Sequence, residues 1–162
     1  MEDKSSQLNK PAKYLVCVDN RDESLAALRL ACMKAKVRSG SVEMLHIIPP
    51  ADFQTLGMIA DRMCEERRTE AELLLTRLQS LAEEGFGIRP HYILRDGSVG
   101  DEVVSTAMDD SDITMLVIGT AQQGTGRGSL ASWLAAQLGD KLLVPLLMVP
   151  GNLTDYQLEK LV

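Results

Sequence analysis

The residues best suited to holding a ligand are Asp19 and the glycines at 119, 124, 126 and 128. Asp19 closes the apolar run Tyr14-Leu-Val-Cys-Val, so it stands at the carboxyl end of a strand. A carboxylate there can accept hydrogen bonds from ribose hydroxyls. It can also cap a helix beginning near Asp22, and the two roles are compatible. The glycines follow a second apolar run, residues 113–119, and precede a helical pattern that opens near Ser129. Glycine permits positive φ and close backbone approach to a ligand. The free N–H groups of the following helix favour an anion. Strand, loop and helix therefore read as half of a nucleotide site, with Asp19 in the other half.

Other phosphate-binding patterns fit poorly. Gly119 and Gly124 have the gap of a Walker-type loop, but Thr125 and Gly126 stand where Lys and Ser/Thr are required. The lysine that reaches terminal phosphates is missing. Gly124, Gly126 and Gly128 have the wrong spacing for a dinucleotide fingerprint and follow the fourth strand pattern rather than the first. No Ser/His/Asp or Cys/His set, no HExxH motif and no catalytic carboxylate pair beyond cap positions stands out, and the cluster Asp109, Asp110 and Asp112, at a helix end before a strand, suits a solvated turn. Cys17, Cys32 and Cys64 are too widely spaced for a zinc site or disulfide framework and read as small apolar residues. His46, inside an apolar strand pattern, reads as a satisfied histidine rather than a ligand.

Composition bounds the function further. The 162 residues are 45% apolar and 25% charged, which suits one globular domain. The net charge of −6, with no basic run, argues against nucleic acid and anionic membranes as partners. No apolar run approaches the ~20 residues of a membrane span, and residues 1–10 lack a signal-peptide core. The expectation is a cytoplasmic protein with a disordered leader (1–11), one domain (12–150) and a tail (151–162) holding a short helix at 155–161 capped by Thr154.

The elements that must position Asp19 and the glycines alternate between strand and helix. Strands are expected at 14–19, 42–48, 88–94, 113–119 and 144–149. Helices are expected from about 20–24 to 38, at 55–84, around 103–107 and at 129–141. Asn20, Asp22 or Ser24 would cap the first helix and Gly40 would end it. This alternation predicts an α/β fold, a doubly wound five-stranded parallel sheet with helices on both faces. Right-handed crossovers leave few strand orders, the commonest being 2-1-3-4-5 or a relative. Pro90, read as internal to the third strand, argues that this strand is an edge, and with that edge the order 3-2-1-4-5 becomes the attractive one. In that order the winding reverses between strands one and four, and ligands of open α/β sheets bind outside the carboxyl ends at such a point. Asp19 and the glycine loop end those two strands.

These segments, taken together and in order, resemble the universal stress protein family. The resemblance runs from Tyr14 to Pro150 and rests on Leu15-Val-Cys-Val-Asp-Asn-Arg-Asp-Glu-Ser24 with Ala27-Leu28, on Val42-Glu-Met-Leu-His-Ile47, on Gly97 before a short helix, on Leu-Val-Ile-Gly119, and on Pro145-Leu-Leu-Met-Val-Pro150. It implies the 3-2-1-4-5 sheet and a homodimer formed through the last strand. In the family's nucleotide-binding branch Asp19 would hold the ribose or adenine end and Val42 would touch adenine. The family's phosphate motif, Gly-x2-Gly-x9-Gly-Ser/Thr, would start at Gly119. Here Gln122 fills its second glycine position and Ser132 its third. A shorter loop would use Gly128-Ser129 at the helix start, with Gly124, Gly126 and Arg127 before it, and Ser132 remains the other candidate. Arg127 is the loop's one cation, so a triphosphate would need Mg²⁺ near Asp19.

Three functions compete. The first is a stress-response protein that binds ATP or AMP as a regulatory ligand. The second is a stress or adaptor protein that binds no nucleotide and works by dimerisation and partner contact. The third, a hydrolase or ligase of the adenine-nucleotide group, needs a catalytic group that the sequence does not supply.

Overall fold

A computed structural model describes residues 10–51, 57–121 and 130–162. Five strands, β1 (Lys13–Cys17), β2 (Ser41–Ile48), β3 (His91–Asp96), β4 (Ile113–Thr120) and β5 (Leu146–Pro150), form one parallel sheet in the order β3-β2-β1-β4-β5. The helices are α1 (Asp22–Val37), α2 (Met58–Phe86), α3 (Val99–Asp109), α4 (Leu130–Gln137) and α5 (Asp155–Glu159).

Alternation along each strand sends side chains to two cores. Tyr14, Val16, Val42, Met44, Val117 and Val149 join α1, α2 and Leu158 of α5 on one face. Leu15, Leu45, Ile47, Leu116 and Ile118 join α3 and α4 on the other. Both faces are covered, which explains why β1 and β4 read as near-continuous apolar runs. On α1, Ala27, Leu28, Ala31, Cys32 and Ala35 are all buried as their helical spacing predicts, and the alanines let the helix lie close over β1, β4 and β5. The crossovers leaving β1 and β2 use one face and those leaving β3 and β4 use the other, so the winding reverses between β1 and β4.

Several boundaries differ from the sequence expectation. Pro90 precedes β3 rather than lying inside it: the ladder starts at the pair Glu43–His91, because proline has no N–H to contribute. The inference that β3 is an edge nevertheless holds. Helix α4 stops at Gln137 rather than continuing to 141, because the Gln137 carbonyl accepts N–H groups from Asp140, Lys141 and Leu142, and Gly139 turns the chain at φ 82°. At the end of α1 the left-handed residue is Ser39 (φ 50°), not Gly40. Gly40 is needed for contact instead, since a Cβ there would run into the Ala12 carbonyl. The tail helix forms as expected, with a full capping box between Thr154 and Gln157. No helix among the described residues is long and apolar enough to cross a membrane.

Candidate functional site

The carboxyl ends of β1 and β4 are adjacent at the reversal of winding, and the chain leaving β1 folds over both. Asp19 lies two residues past the end of β1. Its backbone N–H donates to Ser24 Oγ at 2.8 Å, and its Oδ1 accepts the Arg21 N–H at 2.8 Å. This tight turn replaces the expected cap. Arg21 holds the cap position of α1 without a side-chain bond, and neither Asn20, Asp22 nor Ser24 caps the helix. Ser24, buried one turn further on, steadies the turn through the Asp19 amide instead. The Asp19 side chain keeps 43% exposure, and its Oδ2 lies 3.8 Å from Arg21 Nε. Among the described residues Oδ2 has no closer partner than this long ion pair, which leaves that carboxylate edge to accept from a donor outside. The N-terminus of α1, carrying Asp22 and Glu23, faces the same end of the sheet.

Gly119 is at the end of β4 beside this turn, but its role differs from the expected one. It has no positive φ, and the group its missing side chain admits is the backbone of Glu23 and Ser24. Gly151, just past β5, is pressed against Glu23 in the same way. These two glycines seat α1 on β4 and β5 and thereby fix where Asp19 stands.

Val42 is not at this end of the sheet. It pairs with Tyr14 at the amino end of the sheet, 1% exposed within the core under α1 and α2. Tyr14 precedes Asp19 by five positions, roughly 16 Å along a strand. The pairing of Cys17 with Leu45 continues through the Val18 N–H bond to the Leu45 carbonyl, which brings Ile47 level with Asp19. Ile47, with Ile48 after it, is thus the apolar part of β2 at this end of the sheet, and register rather than motif spacing reveals it. His46, beside it, is satisfied as expected: its Nδ1 lies 2.7 Å from the Val18 carbonyl oxygen. A carbonyl can only accept, so Nδ1 carries the proton.

Gly124, Gly126, Arg127, Gly128 and Ser129 lie outside the described residues. Ser132 is in the first turn of α4, exposed and engaged in a contact of its own. Next to it Trp133 packs over Gly100 of α3, where a Cβ would stand 2.7 Å from the indole ring. No group of three or more His, Cys, Asp or Glu among the described residues is placed to hold a metal ion. A cation at this cleft would have Asp19 as a protein ligand and would depend on phosphate oxygens for the rest. The half-buried Cys17 thiol below the turn is a poor nucleophile: desolvation, aided by the Asp19 charge, pushes its pKa up to about 12.

Comparison with known proteins agrees with this architecture. The profile of the Universal stress protein family matches residues 12–150, and the chain belongs to that family. Universal stress protein UspA from Lactobacillus plantarum is similar in structure, with TM-score 0.72 and 16% identity over 86% of this chain and 98% of its own. The universal stress protein from Archaeoglobus fulgidus in complex with dAMP has TM-score 0.62 and 19% identity over 87% and 98%. A universal stress protein family protein from Arabidopsis thaliana with AMP bound has TM-score 0.62 and 13% identity over 86% and 92%. Among curated proteins, none matches the chain.

Proposed function

We propose that this protein binds an adenine nucleotide, AMP or ATP, as a regulatory ligand in a cytoplasmic stress response. The open edge of the Asp19 carboxylate at the β1–β4 reversal carries the reading, because two ribose hydroxyls need an acceptor fixed beside a strand end. Ile47 would cover one face of the base, and the N-terminal turn of α4, with Ser132, would receive phosphate. Two structural relatives described with dAMP and AMP support adenine as the base. With ATP, Mg²⁺ would balance the added charge near Asp19. In this reading the nucleotide acts as a signal rather than a substrate.

Native mass spectrometry of the purified protein tests this: co-purified AMP or ATP is expected. A melting temperature unmoved by millimolar AMP, and by ATP with Mg²⁺, would overturn it, since a ligand of the folded state must raise stability.

The adaptor reading has its own support at the opposite edge of the sheet. Strand β5 is paired only with β4 among the described residues, and it exposes Met148 (47%) with Leu143 (65%) just before it. We infer a homodimer through β5, which is compatible with nucleotide binding or can replace it. Met148→Lys should convert the sedimenting species from dimer to monomer; a wild-type chain that sediments as monomer would exclude it.

A further inference from the structure

Residues 151–162 lie beyond the family match at 12–150, yet they are folded onto the body of the protein. Leu158 of α5 is fully buried, Arg29 of α1 pairs with Asp155 at 3.1 Å, and Lys34 Nζ donates to the Leu161 carbonyl at 2.7 Å. The docked helix leaves a groove of about 330 Å³ between α1, the C-terminal end of α2 and α5. That volume falls at the lower end of the range for small-molecule pockets.

The floor is apolar, formed by Leu28, Met33, Ala82 and Phe86, and the polar groups are Arg29, Asp155 and Glu159. Asp155 balances the Arg29 guanidinium. Glu159 has no ion pair among the described residues, and the neighbouring Lys160 ammonium is instead over the Tyr156 ring at 4.4 Å. The rim therefore carries one unbalanced negative charge beside an apolar floor. The geometry points to a second ligand site that takes a small organic cation, a protonated primary amine on an aryl or alkyl body, with the amine on Glu159 and the body on Leu28, Met33 and Phe86. An organic anion is disfavoured, because it must displace Asp155 from Arg29. The groove shares no residue with the β1–β4 cleft, so its fate is independent of nucleotide binding.

Gly85 provides the decisive variant. Gly85 lines the groove, a Cβ there meets nothing within 4 Å and the residue has no positive φ, so Gly85→Leu adds bulk at the groove without strain and favours the helix. The full chain, labelled with ¹⁵N, is titrated with phenethylammonium chloride at millimolar concentration and, in parallel, with 3-phenylpropanoate. The expected result is saturable shifts at the amides of Arg29, Met33, Gly85, Phe86 and Glu159 for the amine. Glu159→Gln should weaken them at least fivefold and Gly85→Leu should abolish them. Absence of saturable shifts, equal or tighter binding of the anion, or indifference to Gly85→Leu would each overturn the proposal.

Discussion

Gly119 lies so close to α1 that a Cβ on it would stand 2.0 Å from the Glu23 carbonyl oxygen. The end of β4 and the first turn of α1 are thus in direct backbone contact, and the Asp19 turn between β1 and α1 has one place to go. Gly119→Ala forces that contact apart and should cost about 1–3 kcal/mol or more by overpacking. Urea denaturation reads the loss. The same variant should weaken AMP binding, because it moves the turn that holds Asp19. Wild-type stability in Gly119→Ala would show that the helix is not seated on the strand.

Asp19 can be tested apart from its structural role. Asp19→Asn keeps an oxygen for the Arg21 N–H but removes the charge that strengthens bonds from ribose hydroxyls. Hydrogen bonds to charged groups contribute about 1.5–3 kcal/mol, so AMP affinity should fall roughly tenfold or more while the melting temperature stays within a few degrees. Calorimetric titration checks it, and an unchanged Kd would remove Asp19 from the site.

How much of this could be read beforehand depends on which residues carried the information. Core faces and strand order were legible because alternation and helical spacing are set by burial, as Ala27, Ala31 and Ala35 show on α1. Pro90 led to the right edge although it stands outside the strand. Val42 enters through the family resemblance rather than the strand pattern; it opens the strand expected at 42–48, and in a parallel sheet that start lies at the end away from Asp19. The pairing with β1 shows that Ile47 is the residue level with Asp19. Gly119 was legible as a required glycine but not as a seat for α1, since the contact with Glu23 spans about a hundred residues of chain. Leu138 continued a helical pattern that Gly139 breaks, which is why α4 appeared longer than it is.

Thiol reactivity should separate the three cysteines. Cys32 is buried and Cys64 exposed, and burial raises both the Cys17 and Cys32 thiols to about 12. A chromogenic disulfide reagent at neutral pH should therefore modify one thiol per native chain quickly, Cys64, and the other two only on unfolding. Two fast equivalents would contradict the placement of Cys17.

The amino end of the sheet carries a pH-sensitive clamp. Lys13 Nζ is 2.5 Å from Asp110 Oδ2 and 3.0 Å from Glu43 Oε2. The hydrogen bond from Lys13, with the Asp112 N–H, holds the Asp110 carboxyl below its ordinary value of 3.8, and the same bond raises Lys13 above 10.5. A depressed carboxyl stabilises the fold above the unfolded pKa, so its contribution is present above about pH 4 and lost as pH falls further. The Lys13 contribution is present below about pH 10.5 and lost above it. Both groups are partly exposed, so Asp110→Asn should cost only about 0.2–1 kcal/mol at pH 7 and nothing near pH 2. Chemical denaturation at the two pH values measures the difference; an equal cost at both would show that the effect is not electrostatic.

Hydrogen–deuterium exchange with and without AMP shows directly whether an adenine nucleotide sits where β1 and β4 end. Slowed exchange is expected in peptides spanning residues 18–24 and the first turn of α4, with α5 unchanged. Exchange that AMP leaves unaltered in 18–24, or alters only elsewhere, would contradict this placement.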